Sequence, residues 1–272
     1  MKRKTIVLCV IALLISSCSL SRTSTPTPLQ ETPTPIVTNT SANGNVVTLN
    51  NVSLTLPTDL ANDVQTEMRS AVTDGAPWEV VPAYLKFTLT GYQLQELFHE
   101  PNIFVFPADE FGEVNEGAAE QIDRLNKALA GSPVLQETLP TVPWFNAAPL
   151  IAAGIKIIPF QSGSGVRALT QYAQYAAPIN NRELFYQFQG LTEDRKTYII
   201  AILPVTAPFL AEDEKPDAPV PADGVPIPTD VGPNDVYYAS ITENLNSLSP
   251  DEFTPALDTL DDLVQSILVT NP

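Results

Sequence analysis

Residues 184–204 read LFYQFQGLTEDRKTYIIAILP, two apolar runs on either side of a polar interruption. Leu184–Gln189 and Thr197–Pro204 are rich in aromatic and β-branched residues, the types that favour strands. Gly190-Leu191-Thr192-Glu193-Asp194-Arg195 between them is far shorter than the crossover a parallel pair needs, so the two strands pair antiparallel. Each run is apolar on both faces: Leu184, Tyr186 and Phe188 set against Phe185, and Ile199 and Leu203 against Ile200 and Ile202. Strands of that kind belong in the middle of a sheet with both faces at least partly covered.

The same logic extends outward. Gln161-Ser162-Gly163-Ser164-Gly165 reads as a hairpin loop between strands at Ile155–Phe160 and Val166–Ala173. Val46–Leu49 and Val52–Pro57 flank Asn50-Asn51, a turn pair that tolerates the left-handed conformation. Tyr84–Thr90 and Asn102–Pro107 are further strand candidates. Asn115 can cap a helix over about residues 116–130, because Ala118, Ile122, Leu125 and Leu129 recur on one helical face. Near the C-terminus Tyr237, Ile241, Leu245 and Leu248 repeat at helical spacing. Ser249-Pro250-Asp251-Glu252 is a capping box before Phe253, Leu257, Leu260, Val264 and Ile267, with Asp251, Asp258, Asp261 and Asp262 mostly facing away. The spacing predicts an α+β fold: a mainly antiparallel sheet with helices packed on it, including two C-terminal amphipathic helices. Residues 205–235 hold seven prolines and seven acids against Lys215, which predicts a long mobile loop.

Composition sets outer limits. The chain has 272 residues, 44% of them hydrophobic and 17% charged, enough for a substantial core. Acids outnumber bases 31 to 14, which argues against nucleic acid and anionic headgroups as partners. One histidine, His99, and two cysteines, Cys9 and Cys18, exclude a disulfide framework and a zinc cluster. No motif asks for a cofactor or a metal.

The first residues form a leader. Lys2, Arg3 and Lys4 precede an apolar run from Ile6 to Ile15, about half the length that spans a bilayer as a helix. Ile15-Ser16-Ser17-Cys18 then resembles the lipobox of bacterial lipoproteins, which implies cleavage before Cys18 and a lipid on it. Loss of the leader leaves 11 bases against 31 acids. An anionic membrane surface repels such a body, so the anchor is expected to be the lipid. The expected organisation is a signal peptide at 1–17, a Ser/Thr/Pro-rich tether at 18–45 and a single domain at 46–272, outside the cytoplasm and attached to a bacterial membrane.

Residues 180–194, NNRELFYQFQGLTED, together with Gly165-Val166-Arg167 and Leu169-Thr170-Gln171-Tyr172 upstream, resemble an uncharacterised family of bacterial envelope lipoproteins. That resemblance covers about residues 46–210 and implies architecture and location, with no established activity. A looser similarity to PsbP-like α/β/α sandwiches concerns the fold alone.

Functional candidates are few. Ser162 and Ser164 flank Gly163, but Gly-x-Ser-x-Gly is not complete, so the glycines read as a turn. His99 lacks a surrounding motif. Asp109, Glu110, Glu113 and Glu116, and Glu212-Asp213-Glu214, lack the spacing of a calcium loop and read as solvated acids. No catalytic residue is assigned. The set of interest is polar and aromatic: Arg167, Gln171, Tyr172, Gln174, Tyr175, Asn180, Asn181, Gln187 and Gln189. Neutral donors and acceptors beside flat rings suit sugars or extended peptides, or else form a sheet face whose tyrosines are core and whose amides satisfy backbone groups in the 174–182 turn. The expectation is a non-enzymatic binding module for a polysaccharide, a peptide or an envelope protein. The alternatives are an assembly factor acting through the C-terminal helices and a hydrolase using a carboxylate pair.

Overall fold

The computed structural model describes residues 44–215, 218–227, 232 and 236–270. The leader, most of the tether and parts of the proline-rich segment lie outside these residues. Ser41–Pro272 forms one compact unit.

Its centre is a seven-stranded, wholly antiparallel sheet. In chain order the strands are β1 (Gly44–Leu49), β2 (Val52–Pro57), β3 (Asp63–Arg69), β4 (Tyr84–Thr90) and β5 (Asn102–Pro107). Helices α1 (Ala108–Val114) and α2 (Glu116–Leu129) follow, then β6 (Ala148–Pro149), β7 (Ala153–Phe160), β8 (Gly163–Thr170), β9 (Tyr172–Ala173), β10 (Phe185–Thr192) and β11 (Thr197–Pro204). The chain closes with α3 (Val236–Ser247), α4 (Leu257–Gln265) and β12 (Leu268–Val269). The large sheet has the order β3-β4-β5-β11-β10-β8-β7; β1-β2-β12 and β6-β9 are separate small ladders.

The central strands β10 and β11 alternate between two cores. Phe185, Leu191, Tyr198, Ile200 and Ile202 pack with Phe106, Phe111, Ala118 and Leu125 beneath α1 and α2. Tyr186, Phe188, Ile199, Ala201 and Leu203 face the other way, toward Val52 and Leu54 of β2, Ile241 and Leu245 of α3, and Leu260 and Val264 of α4. Every residue of β10 is buried, which is why that stretch is apolar on both faces.

Local signals account for several ends. Asn50 adopts φ +53° in the β1–β2 turn. The Asn115 side chain accepts a 2.9 Å hydrogen bond from the Ala118 backbone N–H at the start of α2, satisfying one of its orphan donors. Four expectations need correction. Gln161 and Ser162 alone make the β7–β8 turn, since Phe160 pairs with Gly163. Gly163 and Gly165 lie inside β8, where a Cβ on Gly165 would come within 2.3 Å of the Gln189 carbonyl oxygen and 2.5 Å of the Phe188 ring. They make room for rings. The Ser249–Glu252 box opens only a 3-10 turn at Pro250–Glu252, and Phe253 precedes a shorter α4. Asp261 does not face away but is 3% exposed. Finally, 205–211 is packed, because Val205, Phe209 and Leu210 are buried and Asn181 holds the Ala207 and Leu210 carbonyls through its Nδ2.

Candidate functional site

The expected polar-aromatic set does not share a face. Arg167 points to the α4 side, where its Nη1 lies 3.2 Å from Asp261 Oδ1 and its Nε donates to the Gly154 carbonyl at 3.0 Å. Tyr186 donates to the same Asp261 oxygen at 3.0 Å. Gln187 and Gln189 point to the opposite side, and both donate to the Pro140 carbonyl, at 2.7 and 3.0 Å. Gln187 also accepts from the Tyr172 hydroxyl at 2.7 Å, and Gln189 from the Tyr198 hydroxyl. Gln171 bridges the Asn180 N–H and Glu183, and Asn180 Oδ1 accepts from the N–H groups of Arg182 and Glu183. Gln171, Asn180, Gln187 and Gln189 are each no more than 1% exposed.

These amides are internal: they satisfy backbone and side-chain groups that irregular segments would otherwise bury unpaired. Asn181 is spent on the 207–210 segment, and the exposed Gln174 donates to the Asn146 carbonyl at 2.7 Å. Apart from the exposed Gln174 and Tyr175, the set therefore corrects from a binding face to a largely buried network. The contacts match the alternative of core tyrosines and amides that satisfy backbone groups, which the sequence leaves open because an amide in a strand looks the same whether the layer above it is solvent or helix.

An open face exists elsewhere. Helices α1 and α2 cover the β5-β11-β10-β8 part of the sheet and stop short of β3 and β4. The register places Arg69 opposite Tyr84, Glu67 opposite Lys86, and Gln65 opposite Thr88, with Lys86 opposite Phe104 and Thr88 opposite Asn102 on the other flank. Residues opposite one another share a face. Tyr84, Lys86, Thr88 and Phe104 are half-buried, and Gln65, Glu67 and Arg69 are exposed, whereas the same layer over β10 is fully buried. Thr88 donates to Asn102 Oδ1 at 2.7 Å, and Arg69 pairs with Glu67 at 2.8 Å.

Rings continue this surface beyond the strands. Tyr84 and Phe104 have centroids 6.1 Å apart, Phe104 and Trp144 5.0 Å, and Trp144 and Phe145 6.2 Å. Phe145 then stacks on His99 at 5.4 Å, and His99 meets the edge of the exposed Phe98 at 4.8 Å. Burial among these rings lowers the His99 pKa from its ordinary value to about 4, so the ring is neutral at physiological pH. At the Tyr84 end, the strip borders a cleft of about 280 Å³ lined by Tyr84, Phe104, Phe106, Trp144 and Glu79.

A signal for this face was present in the sequence. Tyr84-Leu85-Lys86-Phe87-Thr88-Leu89-Thr90 alternates strictly, apolar on one side and polar or phenolic on the other. That is the pattern of a strand with one wet face, and it contrasts with the two-sided Phe185–Thr192. The partner strand β3, DVQTEMR, carries too little apolar character to announce itself.

The other depressions offer less. A broader groove of about 1070 Å³ runs between α3 and residues 136–150, where Arg124 is engaged with the Glu137 and Leu139 carbonyls and Gln136 with that of Leu150. Glu183, raised above the usual carboxylate range by burial and by Glu214, is held by Gln171, while Glu214 is held by Tyr175. Among the described residues no cluster of His, Cys, Asp or Glu is arranged to hold a metal ion, and no helix is long and apolar enough to cross a membrane. No family model, no curated protein and no solved structure matches the chain.

Proposed function

We propose that the chain is a lipid-anchored protein of the bacterial cell envelope, attached through Cys18 and facing away from the cytoplasm, whose α+β domain binds a neutral polysaccharide on the open β3-β4-β5 face. The observation that carries the reading is the strip Tyr84–Phe104–Trp144–Phe145–His99, flanked by Gln65 and Thr88. Sugar rings present flat C–H faces with hydroxyls at the rim, and half-exposed aromatic rings beside amide and hydroxyl groups meet both needs. The acidic balance of the chain disfavours an anionic polymer.

On this face Arg69 pairs with Glu67 at 2.8 Å and Lys86 with Glu100 at 3.7 Å. The assembly-factor alternative needs an exposed apolar stripe on two amphipathic C-terminal helices, and Ile241, Leu245, Leu257, Leu260, Leu263 and Val264 are all buried. The hydrolase alternative needs two acids converging in a cleft, and on this face Glu67 is paired with Arg69 at 2.8 Å.

The test is co-sedimentation with insoluble amylose, cellulose and chitin, and affinity electrophoresis in soluble β-glucan. The wild type should bind at least one of these. Tyr84→Ala and Trp144→Ala should weaken that binding tenfold or more, while Tyr175→Ala, an exposed ring elsewhere, should leave it unchanged. Circular dichroism would confirm that the variants fold. Binding to none of the four polymers, or binding insensitive to Tyr84 and Trp144, would overturn the reading.

A further inference from the structure

Strand β3 is an edge of the large sheet, touched at its Met68 end by Asn50 of the β1–β2 turn, whose Nδ2 donates to Met68 Sδ at 3.6 Å. Among the described residues it pairs with β4 alone, and Asp63, Gln65, Thr66, Glu67, Met68 and Arg69 are all exposed, Met68 at 67%. Edge strands offer a row of unpaired backbone groups, and proteins guard them with proline, lysine or a covering element. The opposite edge, β7, carries Lys156 and Pro159 and is tied down where Asn246 accepts from the Gly154 N–H. The β3 edge has neither proline nor lysine.

We propose that β3 pairs antiparallel with β3 of a second copy of this chain, with Thr66 on the two-fold axis. The occupant follows from charge complementarity. In this register Asp63 lies opposite Arg69, Gln65 opposite Glu67, Val64 opposite Met68 and Thr66 opposite itself. Each charged or polar residue meets a complement, and the exposed Met68 meets the one apolar neighbour available. Arg69 keeps its present contact with Glu67 and gains the carboxylate of Asp63 across the axis.

The adjacent symmetric registers fail. Centring on Gln65 sets Asp63 against Glu67, and centring on Glu67 sets two carboxylates against each other, both destabilising in directly opposed pairs. An edge built to stay single would gain nothing from being self-complementary in one register and repulsive in its neighbours.

A two-fold of this kind stands perpendicular to the sheet. The two large sheets become one of fourteen strands, and their open faces lie side by side on the same surface. On the reading of that face given above, the dimer presents two ring strips to one polymer and gains effective concentration for the second contact.

Cysteine cross-linking tests the register in the full chain in its own membranes, since the only native cysteines are Cys9 and Cys18. Directly opposed residues have Cα atoms about 4.5–5.5 Å apart, within disulfide reach. Thr66→Cys should therefore give a disulfide dimer on mild oxidation. Met68→Cys is on the same face and also exposed, but it lies four residues from its own symmetry mate, about 14 Å along the strand. It should link at least tenfold more slowly. In the Thr66→Cys background, Asp63→Arg should cut the linking rate about tenfold, and Asp63→Arg with Arg69→Asp should restore it. No dimer from Thr66→Cys, equal linking at Met68→Cys, or no rescue by the double charge swap would each overturn the proposal. Polysaccharide binding by the monomer is measured separately, so the two ideas can fail independently.

Discussion

Arg167 and Asp261 are 94 residues apart in the chain and meet at 3.2 Å between β8 and α4, with side chains only 10% and 4% exposed. Lys156 adds a longer contact at 3.4 Å, and the Tyr186 hydroxyl donates to the same carboxylate. Burying a charge is costly unless it is paired and hydrogen-bonded, so this contact fixes where α4 sits more than it adds net stability.

Removing one partner should therefore be severe. Asp261→Ala would leave the Arg167 guanidinium buried with only the Gly154 carbonyl, a loss of about 3–5 kcal/mol. Asp258→Ala, on the exposed side of the same helix, should change stability by about 0.5 kcal/mol or less. Urea denaturation of the pair measures the difference, and equal effects would mean that Asp261 is solvated.

Leu260 is fully buried under the same helix. Leu260→Ala should cost about 2–5 kcal/mol, as buried leucine truncations do. An effect within the ordinary surface range would instead mean that α4 keeps its apolar side for a partner.

Gly165 is a packing requirement and not a turn. Gly165→Ala puts a methyl group within 2.3 Å of the Gln189 carbonyl oxygen, so backbone has to move. Overpacking of this sort typically costs about 1–3 kcal/mol. Thermal unfolding reads it directly, and a neutral substitution would show that β8 and β10 can part without penalty.

His99 makes stability depend on pH with a definite sign. Its folded pKa, about 4, lies below the ordinary value of 6.5, so the unfolded chain binds the proton more readily. The stabilising contribution is complete above pH 6.5 and is lost as pH falls toward 4. Because His99 is the only histidine, its ring proton resonance is unambiguous in an NMR titration, and the midpoint should fall near 4. A midpoint near 6.5 would place the ring in open solvent. His99→Gln should flatten the decline in stability over the same range.

The proposed membrane attachment rests on the leader. Cys18→Ser should move the protein from the membrane fraction to the soluble one and abolish labelling by radioactive palmitate. Continued membrane partition with label would remove the lipid anchor from the proposal.

What the sequence determined by itself was local or strictly periodic. The two-sided apolar character of residues 185–203 specified central antiparallel strands, because a residue in a pleated strand faces one side or the other whatever lies beyond. Asn50-Asn51 and Asn115 specified a turn and a cap through hydrogen-bonding habits that act over a few residues. What lies above a face is not local. Gln187 is buried because α2 and the 140–142 segment arrive from elsewhere, Thr88 is not because they stop one strand short, and Asp261 faces inward because Arg167 awaits it from a distant strand. Tertiary structure alone decided which polar side chains became interior scaffolding and which were left to the solvent, since burial is a property of two surfaces and each stretch of chain encodes only one.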